Sequence, residues 1–306
     1  MGGNVFQGAK PIKKEDIKPT LARFFAELSR VFPKVGVMES SEISLVGSAG
    51  KKAESGDIDL CLDQKVLEDL DKWGISPEKV EQLYNKVKSK ARTATEEQMR
   101  KRAALLAIAE RIKMYSSRLK VDTKGTGNGT IFFEFPQFDD KGTFLDKDVQ
   151  IDLNVGDPEL LKFMYYSEAY PKSNLKGLHR TQLLIALFLN KGLTLGHNYG
   201  VKDKNTQKII ADSPQKIKEL LERLYNVTIK DDKVLYDFNK LYDFLEKNLN
   251  QEDFDKVRDI YLGILDHTRV DIPKQLENYW LDNQTRLNLT GKFLPKDSVL
   301  YPFRTE

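Results

Sequence analysis

Two aspartates, Asp57 and Asp59, stand in a short segment whose other residues are mainly apolar. The alternation predicts a β-strand in which both carboxylates share one face and Ile58 points to the opposite face. Two carboxylates a few ångströms apart repel each other unless a positive charge lies between them. Hard divalent cations such as Mg²⁺ take oxygen ligands. The pair is therefore a candidate cation site.

A second predicted strand, over residues 43–46, leads into a polar turn just ahead of the two aspartates. The turn begins with Gly47 and Ser48, which offer backbone N–H groups and a hydroxyl to a phosphate. Lys51 and Lys52 follow, and either would neutralise phosphate charge, although a loop lysine is more often only solvated. A phosphate cradle beside metal-binding carboxylates indicates phosphoryl-transfer chemistry.

A third carboxylate lies much later in the chain. Residues 149–155 alternate apolar and polar side chains, with Gln150, Asp152 and Asn154 on the polar side. This pattern predicts a half-buried strand that presents Asp152 at its centre. Alone, such an aspartate is a weak signal, but with the earlier pair it completes a triad.

The elements that must position these groups include both helices and strands. An amphipathic helix is predicted over residues 16–32, because its apolar side chains recur every three or four positions. From residue 76 to about 119 the pattern is again helical, with a break ahead of a capping box formed by Thr95 and Gln98. Many side chains in the last part of this stretch are basic. They indicate either a solvated helix face or a surface that contacts a phosphate backbone.

The chain has 306 residues, which is enough for about two domains. We expect a catalytic domain over residues 1–170, with a helical and hairpin insertion at about 76–147. The glycine-rich segment 125–129 is predicted to be the turn of that hairpin. Residues 171–306 have a helical pattern and are predicted to form a second domain that binds acceptor or nucleotide.

The Gly-Ser turn, the Asp-x-Asp strand and the lone aspartate on a later strand resemble the DNA polymerase beta nucleotidyltransferase superfamily. The resemblance covers mainly residues 43–63 and 148–156. It implies an α+β fold, with an N-terminal nucleotidyltransferase palm (a mixed β-sheet with helices) followed by an all-helical C-terminal domain. It also implies two Mg²⁺ or Mn²⁺ ions, both held by Asp57 and Asp59, with Asp152 binding the catalytic ion.

The same resemblance suggests where the nucleotide would bind. Gly47 and Ser48 would hold the β- and γ-phosphates. Family X polymerases carry a Tyr-Phe-Thr-Gly-Ser-x-x-x-Asn segment after the third carboxylate, and the related stretch here lacks the Gly and the Ser that follows it. Nucleotide contacts are therefore expected only in the general region of Tyr166, Ser167, Asn174, Lys176 and Arg180. The alternative interpretation of this region is a linker followed by a helix start.

The composition of the chain bears on its partners and on its cellular compartment. A formal net charge of +3 does not by itself require a nucleic-acid partner. The single cysteine, Cys61, excludes a disulfide framework or a cysteine-based zinc site, and it favours a reducing, cytoplasmic compartment. No apolar run approaches the roughly 18 residues of a membrane span, so no membrane partner is expected.

The expected function is metal-dependent transfer of a nucleoside monophosphate from an NTP, ATP among them, to an acceptor hydroxyl, with release of pyrophosphate. The preferred acceptor is a nucleic-acid 3′ end, RNA or DNA. Two alternatives stay open. One is nucleotidylation of a protein or small molecule, and the other is a catalytically inactive nucleotide-binding scaffold, against which the three clustered carboxylates argue.

Overall fold

The computed structural model describes residues 5–35, 43–90, 94–167, 175 and 177–304. The chain is a mixed α/β protein that divides into two compact units. The first unit contains the described residues up to Lys162, and the second contains those from Phe163 onward. Within the described residues, no helix combines the length and the apolar character that a bilayer crossing requires.

The first unit combines helices with the strands of two sheets. In chain order its elements are β1 (Ile12–Lys13), α1 (Lys14–Val31), β2 (Ile43–Val46), β3 (Glu54–Ser55), β4 (Asp57–Asp63), α2 (Gln64–Glu68), α3 (Pro77–Lys88), α4 (Glu96–Tyr115), β5 (Lys120–Asp122), β6 (Thr130–Phe138) and β7 (Phe144–Gly156). Helix α5 (Pro158–Met164) follows, and the first unit ends within it.

Five of these strands form a mixed sheet in the order β2-β4-β7-β6-β5. Strands β4 and β7 are parallel, and the other neighbouring pairs are antiparallel. A parallel pair requires a crossover, which here contains α2, α3, α4 and the β5–β6 hairpin. The predicted hairpin is confirmed, but its connection is a short 3₁₀ helix, Lys124–Asn128, rather than a tight turn.

One face of this sheet is buried under helices. Ile58 and Leu60 of β4 and Ile151 of β7 lie in one apolar cluster with Phe24 of α1 and Leu105 of α4. Side chains alternate along a strand, so the residues between these apolar positions lie on the opposite face. The predicted alternation is confirmed for both strands, and it leaves the aspartates on the face away from α1 and α4.

Local signals determine where α3 and α4 begin. The Ser76 hydroxyl caps α3 by accepting the N–H of Lys79 at 3.2 Å. At α4 the N–H of Gln98 donates to the Thr95 hydroxyl at 3.2 Å, and the N–H of Thr95 donates to Gln98 Oε1 at 3.1 Å. The predicted capping box is confirmed, and the long helical stretch is two helices.

The second unit is mainly helical but contains a small sheet. After the end of α5 its elements are α6 (Gly177–Asn190), β8 (Leu193–Gly196), β9 (Gly200–Asp203), β10 (Ile209–Ala211), α7 (Pro214–Tyr225), α8 (Phe238–Asn248), α9 (Gln251–Thr268) and α10 (Lys274–Leu287). The prediction of an all-helical second domain is wrong over β8, β9 and β10, which form an antiparallel sheet. Strands this short carry too little alternation to be distinguished from loops or helix ends.

Candidate metal centre

Three carboxylates converge on the polar face of the five-stranded sheet. In the parallel register Asp59 of β4 lies opposite Asp152 of β7, and Asp57 lies opposite Gln150. Oxygens of Asp57, Asp59 and Asp152 all lie within 4.8 Å of one another. The structure thus brings Asp152 to a pair of aspartates that is distant from it in sequence, and it leaves each of the three partly buried.

The turn after β2 lies directly against this cluster. Val46 pairs with Asp59 in the antiparallel register, so Gly47 is the next residue beyond that pair. Gly47 has a left-handed backbone conformation with a φ of 71°. A Cβ atom at this position would lie 2.4 Å from Asp59 Oδ2. Only glycine satisfies both the conformation and the close approach, and the turn backbone therefore lies at the edge of the carboxylate cluster.

Burial and mutual repulsion raise the pKa of two of these carboxylates. The pKa of Asp59 lies well above its usual range, first because burial penalises the charged form and then because of the charges on Asp57 and Asp152. Burial also raises the pKa of Asp152 to about 7, although a hydrogen bond from Gln150 opposes this shift. In the absence of a cation the cluster therefore retains protons at pH values where an exposed aspartate is ionised.

This donor set fits a hard divalent cation. Carboxylate oxygens are the ligands that Mg²⁺ and Mn²⁺ prefer, and a cation offsets the repulsion that raises the pKa of Asp59. The close approach of Gly47 adds a backbone surface beside the carboxylates. The residues that would hold the metal are Asp57, Asp59 and Asp152.

Two carboxamides of β7 support the cluster. Gln150 donates from Nε2 to Asp152 Oδ1 at 2.7 Å. Asn154 donates to the Asp59 carboxylate, and its own Oδ1 accepts the Thr130 hydroxyl at 2.8 Å. The alternation in the sequence places both amides on the face of Asp152, and that spacing is the signal by which they could have been found. Thr130 has no such signal, because its contact depends on the pairing of β6 with β7.

The predicted phosphate-binding residues Ser48, Lys51 and Lys52 follow Gly47 in the same turn. The backbone N–H of Lys51 donates to the Ser48 carbonyl at 3.1 Å, which closes the turn. The Lys51 side chain is partly buried, and burial lowers its pKa. Ser48 and Lys52 are also partly exposed, so these side chains can still be reached from solvent.

Two of the predicted nucleotide contacts that follow the third carboxylate, Tyr166 and Ser167, belong to the second unit. The rings of Tyr166 and Tyr236 meet edge to face, with 4.9 Å between their centroids, and Ser167 is buried. Asn174 and Lys176 lie outside the described residues.

Arg180 connects separate segments of the second unit through hydrogen bonds. Its guanidinium donates from Nε to the Leu235 carbonyl at 2.7 Å and from Nη1 to the Phe163 carbonyl at 2.6 Å. The side chain is buried, and burial lowers its pKa to about 10. A basic residue at a helix start suggested a ligand contact, but the sequence does not reveal that this side chain points into the unit.

Most cations of the predicted basic helix contact groups of their own unit. Arg100 donates to Glu96 and to Glu81, each at 3.1 Å. Lys101 donates to the Val155 carbonyl, and burial lowers its pKa to about 8. Arg111 of α4 also has partners in the same unit, as does Lys120 at the start of β5. Such pairing favours a structural helix face over a surface that contacts a phosphate backbone.

No protein-family model matches this sequence, and no curated protein matches it either. A functional assignment therefore depends on the site itself.

Proposed function

We propose that this chain is a metal-dependent nucleotidyltransferase, which moves a nucleoside monophosphate from an NTP to an acceptor hydroxyl and releases pyrophosphate. The observation that carries the proposal is the convergence of Asp57, Asp59 and Asp152 within 4.8 Å beside a glycine turn. Two neighbouring strands present these carboxylates together, although their repulsion is unfavourable without a cation. A site that binds Mg²⁺ or Mn²⁺ explains why the arrangement exists.

In this proposal the first unit is the nucleotidyltransferase palm, and the second unit binds acceptor or nucleotide through its helices and its small sheet. The backbone at Gly47 and the Ser48 hydroxyl hold the β- and γ-phosphates. Lys51 lies in the same turn, where its charge offsets that of the triphosphate.

Two Mg²⁺ or Mn²⁺ ions, when bound, would supply Lewis-acid activation of the acceptor hydroxyl and charge stabilisation for the leaving pyrophosphate. The role of Asp57 and Asp59 is to hold these ions. Asp152 combines a ligand role with a second one, in which it receives the proton of the attacking hydroxyl.

A nucleic-acid 3′ end is the acceptor that we propose first. A second candidate is nucleotidylation of a protein or small molecule, and one observation favours it. The cations of α4 on which nucleic-acid binding was expected to depend include Arg100 and Lys101, and these are engaged within the first unit. An inactive nucleotide-binding scaffold is the least favoured alternative, because it has no need of three adjacent carboxylates.

The test is transfer of label from each of the four NTPs in the presence of Mg²⁺ or Mn²⁺. RNA and DNA oligonucleotides serve as one set of acceptors and a cell lysate as the other. Extension of an oligonucleotide supports the first acceptor, and label on a protein band or on a small molecule supports the second.

Substitutions on β4 test whether nucleotide transfer depends on the carboxylate cluster. We expect Asp57→Ala and Asp59→Ala to abolish transfer while the fold is retained. The matched control is Asp63→Ala. Asp63 belongs to the same strand, but its carboxylate caps α2 and lies outside the cluster. Transfer that survives both cluster substitutions would show that the assignment of the triad is wrong.

A further inference from the structure

The Gln150 side chain connects the third carboxylate to the start of the described chain. It is buried, with 2% of its surface exposed. Its Nε2 donates to Asp152 Oδ1 at 2.7 Å. Its Oε1 accepts the backbone N–H of Val5 at 2.9 Å. The Gln150 amide therefore contacts the carboxylate cluster through its nitrogen and a backbone segment far away in sequence through its oxygen.

The chemistry of the two partners determines the orientation of this amide. A backbone N–H can only donate, so the amide atom that faces Val5 is the oxygen. The NH₂ group must then face Asp152, whose Oδ1 accepts its hydrogen bond. A flipped amide would place a donor against a donor and an oxygen against a carboxylate. The contact with Val5 thus selects the orientation in which Gln150 holds Asp152.

The segment that carries Val5 is itself anchored. We refer to residues 5–13 as the N-terminal arm. The backbone N–H of Lys10 donates to the Asp148 carbonyl of β7 at 2.8 Å. The buried Gln137 side chain donates to the carbonyls of Lys10 at 3.0 Å and Pro11 at 3.3 Å. The arm therefore lies along the strand that carries Asp152, and the position of Val5 is set by several contacts at the base of the arm.

We propose that Gln150 is a positioning residue for Asp152, and that the N-terminal arm fixes the orientation in which Gln150 acts. The inference rests on the proposed function, because it concerns the same carboxylate cluster. A hydrogen bond to Oδ1 restricts rotation of the Asp152 carboxylate and so favours one orientation of its second oxygen. Residues that hold metal ligands in this way typically change metal affinity about 10–100-fold when they are removed.

The experiment is a titration of the full chain with Mn²⁺, in which free Mn²⁺ is measured by electron paramagnetic resonance. Gln150→Met removes the amide but keeps a side chain of similar length. We expect the affinity for Mn²⁺ to fall about 10–100-fold. Thermal unfolding of the same samples shows whether the variant is folded.

Gln137→Met is the matched control, since Gln137 is another buried amide that holds the arm. Its side chain donates to backbone carbonyls, that of Asp148 included, and makes no hydrogen bond to the carboxylates of the cluster. We expect Gln137→Met to lower the melting temperature and to weaken Mn²⁺ binding less than Gln150→Met does, because the backbone N–H of Lys10 still holds the arm to β7. Equal losses of affinity in the two variants would overturn the proposal, because anchoring of the arm alone would then explain both.

Val5→Pro tests the link from the other end, and it serves if Gln150→Met does not fold. Proline has no N–H, so Gln150 keeps its amide but loses the donor that orients it. We expect weaker Mn²⁺ binding, with a smaller change than for Gln150→Met. An unchanged affinity in Val5→Pro overturns the role of the arm.

The outcomes separate this inference from the function on which it rests. A wild-type chain that binds no Mn²⁺ removes both. A wild-type chain that binds Mn²⁺ and transfers nucleotide, with Gln150→Met indistinguishable from it, removes the positioning role alone.

Discussion

Two sites in the first unit shield carboxylates from water. The two sites differ in the side chains that surround these carboxylates. Glu27 of α1 accepts hydrogen bonds from Arg30 at 2.6 Å and from the Ser116 hydroxyl at 2.7 Å. The hydrogen bond from Arg30 is the main reason why the pKa of Glu27 lies below its usual value. Asp59 instead lies beside Asp57 and Asp152, and its pKa is raised by burial and by those two charges.

The difference distinguishes a carboxylate that stabilises the fold from one that serves another purpose. Glu27 is most stable when ionised, because its neighbours favour the charge. The position of Asp59 disfavours its charge. Ionisation of Asp59 becomes favourable only when a cation is bound. Opposite pKa shifts of two carboxylates within one unit therefore separate a candidate functional carboxylate, Asp59, from a structural one, Glu27.

The largest expected effect is on transfer. Asp59→Asn should lower the transfer rate about a thousandfold, because several kcal/mol of transition-state stabilisation depend on the metal ligands. Glu27→Gln should leave the rate unchanged at a temperature where the variant is folded. A single-turnover assay with labelled NTP measures both. Similar losses in the two variants would contradict the contrast.

Glu27→Gln should have the larger effect on stability. Loss of charge-assisted hydrogen bonds from a mostly buried carboxylate costs about 1.5–3 kcal/mol in the free energy of unfolding. Urea unfolding of the metal-free protein is the measurement. Glu15→Gln is the control, since Glu15 is an exposed residue of the same helix. If Glu15→Gln lowers stability as much, the burial of Glu27 is not the cause.

Asp59→Asn should act in the opposite direction. In chelator-treated protein it removes a repelled charge, and we expect a gain of roughly 1 kcal/mol in the free energy of unfolding. Saturating Mg²⁺ should reverse the order, because a cation that binds only the folded protein stabilises the wild-type chain and not the variant. A loss of stability in the metal-free variant would show that the carboxylate is structural.

The last expected effect is the pH dependence of stability in the metal-free protein. The pKa of Asp152 is raised from 3.8 to about 7, so the folded state retains a proton that the unfolded state has released. Its contribution to stability is therefore full below about pH 4 and is lost as the pH rises through 7. The pKa of Glu27 is lowered, so its contribution is present above pH 4.5 and is lost on acidification.

Melting temperatures between pH 5 and 8, in the presence of a chelator, report the contribution of Asp152 together with that of Asp59, whose pKa is also raised. Asp152→Asn should flatten the decline that we expect in the wild-type chain over that range. A decline of equal slope in the variant would assign it to other groups.

The sequence was most informative where chemistry and periodicity coincide. The alternation around Asp57, Asp59 and Asp152 predicted three carboxylates on the polar faces of two strands, and those strands are neighbours in the sheet. Thr95 and Gln98 predicted the start of α4, because a capping box depends on residues only three positions apart.

Features that depend on distant pairs could not be predicted in this way. The contact between Val5 and Gln150 joins positions separated by most of the first unit, and no local pattern indicates it. Arg180 resembles any basic residue at a helix start until its carbonyl partners, Phe163 and Leu235, are known. The short strands β8, β9 and β10 pair with one another, and that pairing stabilises them more than their own composition does.

The parallel pairing of β4 with β7 also has a consequence for folding. Asp59 and Asp152 meet only after the chain has closed a long loop that contains three helices and a hairpin, and contacts of such separation form slowly. A chain that is still being synthesised, and that ends before β7, carries only the first two carboxylates. Capture of Mn²⁺ during refolding would therefore report closure of this loop, which makes the cation a probe of when the central sheet is complete.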